Sequence, residues 1–114
     1  MQVTAPEKKG NGIRADPPRG QLLRKLKSRA QLLKPVVRVG KRGVTDEVVR
    51  ALDQALEAHE LVKVKFSDFE DREEKRQWIT SLAERTGSVL IQQVGHVAVY
   101  YRPREGGSEG TASG

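Results

Sequence analysis

Two short runs rich in β-branched residues, PVVRV at 35–39 and LVKVKF at 61–66, are separated by room for one helix, and that spacing constrains the fold more than any other feature of the chain. The second run alternates strictly. Val62, Val64 and Phe66 point one way and Lys63 and Lys65 the other, the period of a strand with one covered face. In the interval, Thr45 stands as an N-cap, Asp46 and Glu47 fill the first turn, and Val48, Val49, Leu52 and Leu56 repeat at helical spacing to near Glu60. A strand, a helix and a strand in that order predict a parallel pair joined by a right-handed crossover.

The flanks extend the unit. QLLRKLKSRAQLLK, 21–34, predicts a helix with Leu22, Leu26, Ala30 and Leu33 on one stripe and Leu23 at its edge, while Arg24, Lys27, Ser28 and Gln31 face away. Pro35 stops that helix and holds Lys34 extended. A third helix is expected over Asp68–Thr86, with Gly87 at its left-handed C′ position. SVLIQQV and HVAVYYR then form two strands of a tight hairpin around Gly95 and His96. The order α-β-α-β-α-β-β describes an α/β (α+β) chain with a single four-stranded mixed sheet packed with helices. Residues 20–104 hold nearly all the large apolar side chains. The basic segment 1–19 and the Gly/Ser-rich segment 105–114 are expected to be disordered tails, since neither can bury enough to order itself.

Several function classes drop out. The chain has no cysteine, so disulfides, thiol catalysis and Cys-based zinc sites are excluded. No apolar run reaches the length of a membrane helix, and a cytoplasmic monomer with no membrane association is expected. Of its two histidines, His59 closes the second helix and His96 sits in the hairpin turn. Neither has a Ser or Asp arranged as nucleophile and base, and the two make no recognisable metal set, so no enzyme activity, cofactor or metal is expected. The carboxylates of EDREEKR, 70–76, alternate with cations at spacings of three and four, as on a solvated, salt-bridged helix face.

Charge is distributed unevenly. Residues 1–44 carry 12 basic and 2 acidic side chains, whereas 45–114 carry 9 basic and 13 acidic ones. Between Arg19 and Val44 there are nine cations and no carboxylate. A block of this kind suits a polyanion, nucleic acid ahead of a membrane surface. Within it lies GKRG, 40–43, between a strand and a helix. Glycine permits positive φ and close approach of a ligand, the helix start beyond supplies unpaired amides, and Lys41 and Arg42 stand at the tip. An ordinary strand-to-helix turn also uses glycine, and Asp46 and Glu47 oppose an anion there. The weight of the motif comes from its surroundings, a cationic helix before it and Arg38 in the strand that leads into it.

The stretches KPVVRVGKRGVTDEVV, HELVKVKF and VYYRP together resemble the CRM domain (chloroplast RNA splicing and ribosome maturation), in the stand-alone bacterial YhbY-type form, over about residues 20–104. The resemblance implies a fold similar to the C-terminal domain of translation initiation factor 3. It also implies a non-enzymatic RNA-binding protein that associates with ribosomal RNA in precursors of the large subunit. Carried over to this chain, its RNA-binding residues are Gly40, Lys41, Arg42 and Gly43 of the loop and Arg24, Lys27 and Lys34 of the basic helix; Arg38 joins them on the local pattern. KH domains share GxxG, but there it joins two helices. A protein-interaction module docking on ribosomal proteins or a translation factor, through the Lys63 and Lys65 face or the acidic third helix, is the alternative. Tyr100 and Tyr101 are the best stacking candidates, with core packing expected of at least one.

Overall fold

The computed structural model describes residues 17–103. The expected tails, including Lys8, Lys9 and Arg14, lie outside these residues but for Pro17, Pro18 and Arg19. The elements are α1 (Gly20–Gln31), β1 (Val37–Val39), α2 (Asp46–His59), β2 (Leu61–Phe66), α3 (Arg72–Thr86), β3 (Val89–Val94) and β4 (Val97–Tyr101). They form one four-stranded sheet in the order β1-β2-β4-β3. β1 pairs parallel with β2, placing Arg38 opposite Lys65, and the other two pairings are antiparallel. The predicted element order and mixed sheet are therefore present.

Helices cover one face of the sheet and part of the other. On one, Val62, Val64, Phe66, Ala98 and Tyr100 meet Leu52 and Leu56 of α2 and Ile79 and Leu82 of α3. On the other, Leu26 and Ala30 of α1 pack on Leu61 and Val99. Strict alternation in β2 is what allows this: its even-numbered residues enter the main core, while Leu61 turns to α1 and Lys63 and Lys65 continue on the α1 side. Tyr100, fully buried, satisfies its hydroxyl by donating to the carbonyl of Ile79 at 2.9 Å.

Two boundaries differ from expectation. α1 ends at Gln31, three residues before Lys34, and Leu32 and Leu33 close it with turn bonds to Arg29 and Ala30. The chain needs Leu32–Val36 to reach the sheet, where Val36 N donates to Lys63 O at 3.1 Å, and Pro35 disfavours helix in the residue before it. Leu33 thus leaves the buried stripe, and Leu22 is also exposed. α3 starts at Arg72, because Asp71 is its N-cap, its Oδ1 accepting from Glu73 N at 2.9 Å and Glu74 N at 3.4 Å. The residues before it form an irregular connection, bent at Glu70, that sends Phe69 into the core. Gly87 takes the left-handed conformation expected at the end of α3. Among the described residues no helix is long and apolar enough to cross a membrane.

Candidate nucleic-acid interface

The two glycines of the loop after β1 do different work. Gly43 has φ +82°, which L side chains rarely adopt, and a Cβ there would run into the ring of Trp78. Its amide is already used, donating to Gly40 O at 2.9 Å to close the turn. Gly40 has no such constraint: a Cβ would meet nothing within 4 Å. Gly43 therefore shapes the loop against α3, and Gly40 is the position that leaves backbone open to a ligand. Lys41 and Arg42, between them, are both exposed.

Just beyond, Thr45 caps α2 by accepting from Val48 N at 3.2 Å. Asp46, which by sequence opposes an anion at this helix start, is held by Arg85 of α3, Nη2 to Oδ1 at 2.9 Å. The same guanidinium reaches Val44 O at 3.5 Å through Nη1. A cation from 39 residues along the chain thus offsets one of the two carboxylates, while Glu47 stays exposed.

Arg38 and Lys65 are register partners on neighbouring strands and both are exposed. Strands lie about 4.8 Å apart, so two like charges stand side by side, an arrangement that costs stability unless an anion comes between them. Half-buried Lys63 follows on the same face. The ion pairs among the described residues involve other cations: Arg76 with Glu73, Arg85 with Asp46, and Arg102 with Asp53 and Glu57. No described carboxylate pairs with Arg38, Lys41, Arg42, Lys63 or Lys65.

The residues predicted from sequence fall into two groups. Gly40–Gly43 and Arg38 lie together at the end of β1, with Lys65 beside them, a neighbour that only the strand register reveals. Arg24 and Lys27 stand on α1, Arg24 exposed and Lys27 half-buried. Lys34, expected on that helix, is in the connection between the groups instead. Tyr100 is sealed in the core, where burial pushes its phenol far up from the ordinary tyrosine value; Tyr101 is half-buried and raised by burial first and the nearby Glu60 second. Stacking on Tyr100 is therefore closed off. Sequence reasoning missed Trp78 and Arg85, since nothing local ties either to a loop some forty residues away. Among the described residues no group of three or more His, Cys, Asp or Glu could hold a metal ion.

Comparison with known proteins gives a consistent picture. The model of the CRS1 / YhbY (CRM) domain matches residues 19–102. An RNA-binding protein of Haemophilus influenzae is 41% identical over 80 residues, 70% of this chain and 80% of that one. A Bacillus subtilis protein named as a probable RNA-binding protein is 36% identical over 83 residues, 73% of this chain and 85% of its own length. A hypothetical protein of Staphylococcus aureus, with a known solution structure, has 32% sequence identity and a TM-score of 0.61, covering 73% of this chain and 85% of that one.

Proposed function

The chain belongs to the CRS1 / YhbY (CRM) domain family, and from that premise we propose that it is a non-enzymatic RNA-binding protein of the cytoplasm that joins precursors of the large ribosomal subunit. The observation that carries the proposal is the set of cations without carboxylate partners among the described residues: Arg38 beside Lys65, continued by Lys41 and Arg42 at the loop tip. Phosphates would settle between these side chains and approach the backbone at Gly40, where no side chain intervenes. Each neutralised phosphate releases counterions, so affinity comes mainly from charge and falls with salt. The α1 cations Arg24 and Lys27 add a second contact group, so that a folded RNA is gripped on more than one side of the sheet edge. Contacts of this kind position the protein without reading bases. The names of the Haemophilus influenzae and Bacillus subtilis relatives support RNA as the partner. Crosslinking the protein to RNA in cells and sequencing the adducts tests the ribosomal part of the reading. Adducts concentrated in large-subunit precursor RNA are expected, and adducts spread over messenger RNA would defeat it.

A second reading, docking on a ribosomal protein, is favoured by Leu32 and Val36, which are 86% and 65% exposed on either side of Lys34 and Pro35. Association with ribosomal particles that survives nuclease treatment would support that reading over the first.

A further inference from the structure

A cleft of about 610 Å³ opens between the β2–α3 connection, the first turns of α3 and the tip of the β3–β4 hairpin. It shares an end of the sheet with the glycine loop. Ser67 N donates to Val39 O at 2.8 Å, and Phe66 N donates to His96 O at 2.7 Å. The chain leaving β1 for the loop, the chain leaving β2 for Asp68 and the hairpin tip therefore stand in a row, about 5 Å per step. An extended RNA strand with a phosphate on the loop can place a neighbouring base at the cleft.

The lining suits a base. Phe69 and Ile79, both buried, are its apolar residues, and the charged side chains of Glu70, Arg72 and Arg76 line the cleft as well. Lys75 Nζ lies 3.2 Å from Gly95 O and 3.0 Å from His96 Nδ1. An ammonium only donates, so Nδ1 accepts and the ring proton is on Nε2. That nitrogen is 3.9 Å from Asp68 Oδ1, too far for a hydrogen bond. A donor and a carboxylate thus face each other unjoined. Gln93 spends its Nε2 on Gly95 O at 3.1 Å and keeps its carbonyl oxygen as an acceptor. Unstacked bases are the usual targets of sequence-specific RNA recognition, and guanidinium planes such as those of Arg72 and Arg76 are among the groups on which they stack.

Asp68 decides which base fits. A carboxylate accepts from exocyclic amines and from an adjacent ring N–H, which guanine offers as neighbouring donors. Uracil presents its one N–H between two carbonyls, and the carboxylate repels both. We propose that this cleft takes one unstacked, amino-bearing base, guanine best, from the strand whose phosphates lie on the glycine loop. The proposal rests on the RNA-binding reading above and adds a base preference that phosphate contacts do not supply.

The test is a titration of the full-length, ¹⁵N-labelled protein with guanosine monophosphate, uridine monophosphate and ribose 5-phosphate, to about 10 mM, beyond the range of weak millimolar sites. Guanosine monophosphate should move the amides of Asp68, Phe69, Gly95 and His96 saturably, with uridine monophosphate at least about fivefold weaker, the least that one bidentate base contact is worth. Ribose 5-phosphate should move loop amides only. Asp68→Asn should erase the guanine preference without weakening the binding of polyuridine RNA, since the lost carboxylate is what repels the uracil carbonyls. Equal response to the two nucleotides, cleft amides that stay still, or a preference that survives Asp68→Asn would overturn the proposal. Loss of the RNA-binding reading itself would show separately, as RNA affinity indifferent to Lys41 and Arg42.

Discussion

The indole of Trp78 occupies the space that any side chain on Gly43 would need. The loop that carries Lys41 and Arg42 is thus seated on α3, and the indole Nε1 is buried there without a hydrogen-bond partner among the described residues. Gly43→Ala must both adopt φ +82° and displace the ring. It should lose at least about 2 kcal/mol in urea unfolding, the sum expected of a strained backbone and an overpacked contact. Gly40→Ala, in open space, should stay within about 0.5 kcal/mol of the native protein. Equal stability of the two variants would mean that Trp78 does not seat the loop.

Arg102 is structural, although it lies in the VYYRP stretch that marks the family. Its Nη1 donates to Asp53 Oδ1 at 2.7 Å and to Thr86 O at 2.6 Å, and its Nη2 reaches Asp53 O at 3.2 Å and Glu57 Oε2 at 3.3 Å. One guanidinium, with only 18% of its side chain exposed, joins the end of β4 to α2 and to the last turn of α3. Arg102→Ala should destabilise by about 1–2 kcal/mol, since the part-buried Thr86 carbonyl loses a charged donor while the exposed Asp53 and Glu57 carboxylates lose little. Arg102→Lys should recover only part, lacking the fork. Thermal unfolding measures both, and RNA affinity of the folded fraction should not change.

Tyr100 makes stability depend on alkaline pH. Burial raises its phenol well above the ordinary tyrosine value, and Tyr101 is raised too. The folded protein therefore holds these protons more tightly than the unfolded chain does. Their contribution is fully present below the unfolded value of about 10 and is lost progressively as pH rises from there toward the higher folded values, at up to about 1.4 kcal/mol per unit for buried Tyr100 and less for the more exposed Tyr101. Denaturant midpoints between pH 8 and 11 should fall at the upper end. Tyr100→Phe should flatten that fall and cost about 1 kcal/mol at neutral pH, where its hydrogen bond to Ile79 O is removed.

Local signals carry most of the fold. The alternation in LVKVKF assigns Lys63 and Lys65 to one face, Thr45 caps α2 and Gly87 ends α3, because each depends on neighbours within a turn or two. The end of α1 and the start of α3 escape such reading, because apolar or charged periodicity runs past the helix: Leu33 continues the stripe by spacing but is needed to bridge to β1. The site is half legible. GKRG and the carboxylate-free block are visible in the sequence, yet Trp78 against Gly43, Arg85 on Asp46 and Lys65 beside Arg38 are meetings across the fold that no window contains.

The salt dependence of RNA binding tests the central claim most directly. A single-stranded RNA should bind the native protein with affinity that falls steeply between about 50 and 200 mM salt. Replacing Arg38, Lys41, Arg42 and Lys65 by Ala should leave the circular dichroism unchanged, weaken binding to all sequences alike, and flatten the log-log slope by roughly 0.7 for each phosphate no longer neutralised. A folded variant that binds as tightly as the native protein, with the same slope, would contradict the account.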